Sequence, residues 1–158
     1  INTKISNLLS PGKMLLSAGI DYRPDKSFTL FVSPVTTRFI VKNDNDFYTI
    51  DKFGVTANRK VNTELGAFAT AKFTKKFSQW AYYTGRLDLF SNYERNPENV
   101  DLFVTNLLTM KFNKWLATNI SVDMIYDDDT KNVKPAKGPA PQWLQLMGIG
   151  IAWNFSKK

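Results

Sequence analysis

Residues 81–92 read AYYTGRLDLFSN, and their alternation decides the fold. Successive side chains of a strand point to opposite faces. Tyr83, Gly85, Leu87 and Leu89 therefore share one face, and Thr84, Arg86, Asp88, Phe90 and Asn92 share the other. A helical period would scatter both sets around a cylinder. The segment also matches the roughly 9 to 11 residues that a tilted strand needs to cross a bilayer.

Six further segments repeat the pattern. In MLLSAGIDY (14–22), Met14, Leu16, Ala18, Ile20 and Tyr22 oppose Leu15, Ser17, Gly19 and Asp21. In TELGAFATAKF (63–73), Leu65, Ala67, Ala69, Ala71 and Phe73 oppose Glu64, Gly66, Phe68, Thr70 and Lys72. In DLFVTNLLTMKF (101–112), Leu102, Val104, Leu108, Met110 and Phe112 oppose Asp101, Thr105, Thr109 and Lys111, with Asn106 breaking the apolar face. In LATNISVDMIY (116–126), Ile120, Val122, Met124 and Tyr126 oppose Asn119, Ser121 and Asp123. The last, QLMGIGIAWNF (145–155), sets Met147, Ile149, Ile151, Trp153 and Phe155 against Gly148, Gly150, Ala152 and Asn154. The stretch from Phe28 to Val41 contains Pro34, which cannot donate to a strand ladder and so predicts a bulge. With one extra residue there, Phe28, Leu30 and Val32 share the apolar face with Val35, Thr37, Phe39 and Val41, leaving Thr36, Arg38 and Lys42 on the polar one.

No segment approaches the roughly 20 apolar residues of a membrane-spanning helix, a test that does not touch strands. The connections alternate in length. RPDKS (23–27), TKKFSQ (74–79) and NK (113–114) are short, whereas 43–60, 93–99 and 127–142 are long and polar. Short turns at one end and long loops at the other are the habit of outer-membrane barrels, whose short turns are periplasmic and whose long loops are extracellular. Aromatic residues collect near the short turns as an interfacial girdle: Tyr22, Phe28, Phe73, Trp80, Phe112, Trp115, Trp153 and Phe155. A smaller set, Phe90, Tyr93, Phe103, Tyr126 and Trp143, is expected at the opposite boundary. The fold expected is all-β, an antiparallel up-and-down transmembrane β-barrel forming one domain over 1–158, with 1–13 as an external lead-in. Seven strands leave an even barrel incomplete. The chain is therefore expected to be the C-terminal part of a larger barrel, or one wall completed by something else. The alternative is a soluble meander or lipocalin-like barrel with the greasy face inward, which needs neither girdle nor alternating loop lengths.

The polar face then lines a lumen, with a charge cluster of Asp21, Glu64, Lys72, Arg86, Asp88, Asp101, Lys111 and Asp123. Arg86 and Asp88, with Glu64 expected beside them, either select ions or form a mutually satisfied plug, because buried charges must be paired. Phe31, Phe68, Phe90, Phe103 and Leu107 also point inward and favour a filled interior; Phe31 is expected to cover Gly19. On the lipid side, Ala67, Ala69, Ala71, Ala81 and Gly85 make a smooth candidate protein-contact face, since small residues let another membrane segment approach closely. At the long-loop end, Lys42, Arg59, Lys60, Lys131, Lys134 and Lys137 are placed to meet lipopolysaccharide phosphates. NDND (43–46) and DDDT (127–130) offer oxygen ligands but lack the glycine and distal glutamate of a calcium loop, so they read as solvated turns.

The chain has neither cysteine nor histidine, which removes disulfides, thiolate metal sites and every Ser-His or Cys-His pairing. No catalytic constellation, metal or cofactor is expected. A net charge of +7 attracts anions, but the longest basic run in the strand-and-turn region is Lys75-Lys76, and no aromatic RNA-binding motif occurs, so nucleic acid is not an expected partner.

The stretches LDLFSNYERNPENVDL, LSPG, GIDYRP, LFVSPVTTR, IYDDDT and GIGIAWNF, taken together, resemble an uncharacterised family of Bacteroidetes-type outer-membrane β-barrel proteins across nearly the whole chain. The resemblance implies a place in the bacterial outer membrane and no particular activity. Ser156-Lys157-Lys158 after Phe155 depart from barrels that end on the aromatic residue itself. The function expected is a structural or accessory subunit in contact with outer-membrane lipid and lipopolysaccharide, packed against other outer-membrane proteins or itself. The alternative is a narrow passive channel for small solutes. A lipid enzyme acting from the lumen is a third class, disfavoured by the missing histidine.

Overall fold

The computed structural model describes residues 8–44, 55–94, 96–127 and 140–151. They form seven strands: β1 (Gly12–Tyr22), β2 (Phe28–Val41), β3 (Val61–Lys76), β4 (Ala81–Asn92), β5 (Val100–Lys111), β6 (Leu116–Tyr126) and β7 (Gln142–Ile151). All pair antiparallel in chain order in a single sheet, and β1 and β7 are its edges. None of the described residues forms a helix long and apolar enough to cross a membrane.

β2, β4 and β6 begin and end where the alternation predicts. β3 runs on to Lys76 and β5 stops at Lys111, so the second and third short turns are residues 77–80 and 112–115. All three short turns close by one device. A side-chain oxygen at the turn accepts from the backbone two and three residues on, as turn-forming Asp, Asn and Ser do. Asp25 accepts from the N–H of Ser27 and Phe28, Ser78 from Trp80 and Ala81, and Asn113 from Trp115 and Leu116.

The bulge lies where Pro34 requires it. Along β3, Phe68 faces Ser33 and Gly66 faces Thr36, so Pro34 and Val35 together oppose Ala67. Along β1, Ala18 faces Val35 and Ile20 faces Val32, with Gly19 at the shift. The bulge costs ladder bonds, and hydroxyls replace them. The Ser33 hydroxyl, fully buried, lies 2.8 Å from the carbonyl oxygens of both Ala18 and Val35. Thr36, also fully buried, donates to the Ser33 oxygen at 2.9 Å, and the Tyr93 hydroxyl donates to the Pro34 carbonyl at 2.8 Å. Gly19 does not face Phe31 as expected; Asp21 does. The bulge bends β2 so closely against β1 that a Cβ on Gly19 would overlap the Val32 carbonyl oxygen and stand 2.7 Å from the Ser33 Cα.

Because the bulge restores parity, the two faces keep their sides from β1 to β7; Asn106 and Gln145 interrupt the apolar one, and Leu15, Ile125, Leu144 and Leu146 stand exposed on the polar one. Burial is inverted relative to a water-soluble sheet. Among the described residues the buried apolar side chains are Ile40, Val55, Ala81 and Phe90, whereas Ser10, Ser33, Thr36, Lys42, Asp44, Glu64, Asn92, Thr109 and Thr118 are buried polar ones. Met14, Leu16, Ile20, Val32, Val35, Leu65, Met147, Ile149 and Ile151 lie exposed on the apolar face. Soluble folds bury such side chains and expose charge.

Gly19→Ala forces backbone to move at the bulge, and overpacking of this kind costs about 1 to 3 kcal/mol. A urea titration of the folded protein is expected to show that loss, with Gly148→Ala, whose Cβ meets nothing, close to wild type.

Candidate functional site

The polar face carries the concentrated chemistry, and its centre is Arg38. Lying beyond the bulge on β2, Arg38 faces Glu64 on β3. Its Nε donates to a Glu64 oxygen and its Nη1 to an Asp101 oxygen on β5 at 2.7 Å. Its guanidinium carbon also sits 4.0 Å from the centroid of the Phe90 ring on β4, a cation–π contact. Asn62 donates to the second Glu64 oxygen at 2.9 Å, so that carboxylate is satisfied on both sides. β2 and β5 are three strand spacings apart, about 14 Å in a flat sheet. One arginine spans them because the sheet curls toward the polar face.

Nearer the short turns a second group forms on lateral rows of the register. Thr29, Lys72, Arg86, Thr105 and Asp123 lie side by side on β2 to β6, and Asp21, Phe31, Thr70, Asp88 and Phe103 make the next row on β1 to β5. Arg86 Nε donates to Asp88 at 2.8 Å, and Asp88 also accepts the Thr70 hydroxyl. Asp21 pairs with Arg23 in the first turn, and that hydrogen bond, followed by the charge itself, raises the Arg23 guanidinium further above its ordinary pKa. A cleft of about 420 Å³ opens among Asp21, Arg23, Thr29, Phe31, Thr70, Lys72 and Arg86.

The predicted charge cluster is thus two groups. Glu64 does not join Arg86 and Asp88; it belongs with Arg38 and Asp101 at the other end of the strands. Lys72 faces Arg86 across β3 and β4, Lys111 lies exposed at the end of β5, and one oxygen of Asp123 is buried without a hydrogen bond. Arg38 was legible only as an inward residue. Its partners were not, because β2 and β3 are joined by a long connection that sets no register. Among the described residues no group of three or more carboxylates is placed to hold a metal ion.

On the apolar face, Ala67, Ala69 and Ala71 form the floor of a groove. Leu30 and Val32 of β2 flank it on one side, Leu87 and Leu89 of β4 on the other. Ala81 is buried, so it does not belong to an open contact face, and Gly85 is half-buried. The Tyr83 side chain folds over Gly85, where an added Cβ would meet the Tyr83 hydroxyl at 2.6 Å. That hydroxyl donates to the Asn106 side chain, whose amide donates to the Val122 carbonyl at 3.3 Å. The one polar interruption of β5 is thereby satisfied without water.

Of the aromatic girdle, Tyr22, Phe73, Trp80, Phe112 and Trp115 are exposed at the short-turn end, and Phe28 pairs with Phe73 across β2 and β3. Trp153 and Phe155 lie outside the described residues. Phe90 and Phe103 do not mark the opposite boundary. Both point to the polar face, Phe90 beneath Arg38 and within 2.9 Å of where a Gly66 Cβ would stand. Lys42 is likewise not available to phosphates; it is fully buried, with Nζ donating to the Val55 and Thr56 carbonyls at 3.3 and 3.2 Å. Arg59 and Lys60 are exposed, while Lys131, Lys134, Lys137, half of the first acidic stretch and most of the second lie outside the described residues.

Comparison with protein-family models, with curated proteins and with solved structures finds no match.

Breaking the Arg38 clamp from one side leaves the buried Glu64 carboxylate without its cation, a loss of about 3 to 5 kcal/mol. Arg38→Met is expected to lower the urea midpoint accordingly, and adding Glu64→Gln and Asp101→Asn to it to recover much of the loss.

Proposed function

We propose that this chain forms a wall of a β-barrel in the bacterial outer membrane and serves there as a structural or accessory subunit. The observation that carries the reading is the inverted burial: the charges of Arg38, Glu64 and Asp101 are paired on the concave side, while most of the exposed large apolar side chains of the strands stand on the convex side. Water penalises that arrangement and hydrocarbon favours it. The sharing of Asn106 between Tyr83 and Val122 fits the same solvent, because an unsatisfied amide in lipid costs several kcal/mol, of the order seen for any buried polar group. Exposed Tyr22, Trp80, Phe112 and Trp115 suit the boundary with headgroups at the short-turn, periplasmic end.

Closure follows from strand direction. β1 and β7 run the same way, so pairing them directly would be parallel, unlike every other pair in the sheet. An odd number of further antiparallel strands joins the two edges and leaves no backbone group facing lipid unpaired. The resemblance to Bacteroidetes-type outer-membrane barrels agrees with this placement. The clamp of Arg38, Glu64, Asp101 and Phe90 fills the long-loop half of the interior, which favours a structural role over an open pore. The groove over Ala67, Ala69 and Ala71 admits close approach of a neighbouring membrane segment, a source of van der Waals contact where no hydrophobic drive exists.

Mild-detergent extraction from native outer membranes, followed by mass determination of the intact particle, tests the reading. Recovery in a particle with other proteins, lost on Ala69→Trp, is the outcome expected. A solitary particle that conducts ions in planar bilayers would transfer the assignment to a channel, and release of the chain by carbonate washing would remove it from the membrane altogether.

A further inference from the structure

The cleft at the short-turn end of the polar face has an imbalance that the fold leaves uncorrected. Lys72 and Arg86 are directly opposite on β3 and β4, and like charges in that relation destabilise a strand pair. The neighbouring carboxylates are already engaged. Asp21 holds Arg23 in a two-pronged pair, and Asp88 takes Arg86 Nε together with the Thr70 hydroxyl. Asp123 stands on the same row as Arg86 but two strands away, beyond Thr105. Three cations therefore line a cleft whose two adjacent acids are each engaged through one oxygen, and among the described residues no hydrogen bond or ion pair reaches the Lys72 ammonium.

The free donors converge from three strands. Thr29 on β2 is the direct neighbour of Lys72 on β3, which is the direct neighbour of Arg86 on β4. The terminal nitrogens of Arg86 remain open because its Asp88 contact uses Nε, and its side chain is 51% exposed. Phe31 supplies an apolar wall. A hydroxyl, an ammonium and a guanidinium offered side by side from three neighbouring strands match the several acceptor oxygens of a phosphate-class anion better than the two of a carboxylate, and charge-assisted hydrogen bonds to such an anion are the strong ones.

We propose that this cleft binds a small phosphate-class oxyanion, held by Lys72, Arg86 and Thr29, with Arg23 at the rim. The site itself stands on the geometry of the polar face; its opening toward the periplasm rests on the outer-membrane reading. The bound anion neutralises the Lys72–Arg86 repulsion, so the ligand and the sheet stabilise one another by linkage.

The test titrates inorganic phosphate into the detergent-folded full chain at constant ionic strength, following the side-chain resonances of Lys72 and Arg86 and the urea midpoint. Wild type is expected to show a saturable shift and a midpoint that rises with phosphate. Lys72→Met and Arg86→Gln are each expected to weaken binding about tenfold or more, the scale of one lost charge-assisted contact. Lys111→Met removes an equal charge from the same face outside the cleft and is expected to leave binding unchanged. Absence of a saturable shift in wild type overturns the proposal, as does equal weakening by Lys111→Met, which would mean attraction by net charge alone. Circular dichroism of each variant separates loss of the site from loss of the fold. Membrane fractionation decides the outer-membrane reading independently, so either conclusion can fail without the other.

Discussion

The guanidinium of Arg38 holds together what the rest of the sheet depends on. It joins β2 to β3 through Glu64, passes over Phe90 of β4 and ends on Asp101 of β5. A flat sheet would leave these groups apart, each a solvated charge contributing little. Curled around one arginine, they become a mutually neutralised centre. Neutralisation matters because Glu64 is almost wholly buried and an unpaired carboxylate there would be costly.

That clamp exists only because of the bulge before it. Without the extra residue at Pro34, every side chain from Val35 onward would change faces. Arg38 would then point out among Leu16, Leu65 and their neighbours. Gly19, Ser33, Thr36 and Tyr93 are the supporting parts: the glycine makes room for the bent backbone, and three hydroxyls take up or relay the bonds the ladder gives up. Chemistry on the polar face therefore begins with a backbone irregularity on β2.

The two halves of the polar face differ in kind. Toward the long loops, aromatic rings and paired charges fill the space. Toward the short turns, a cleft remains between β1 and β4 with an excess of cations. The apolar face is graded as well: groove-like over the alanines of β3, and closed over Gly85 by the Tyr83 ring. Small residues thus do two things on this face: Ala67, Ala69 and Ala71 keep β3 low between larger neighbours, and Gly85 on β4 leaves room for the Tyr83 ring.

Much of this was legible in the chain because a period of two is a local property. It set the limits of β2, β4 and β6, the membership of each face, the bulge at Pro34 and the inward direction of Arg38. The short turns were legible too, since Asp25, Ser78 and Asn113 act on backbone within three residues. What only the tertiary structure decided was which distant residues meet. The connection between β2 and β3 is long and imposes no register, so Arg38 opposite Glu64 could not be counted out from a turn. Curvature is a property of several strands at once, so the reach to Asp101, the place of Phe90 beneath the arginine, and the unpaired Lys72 in its cleft emerged only when the sheet was assembled.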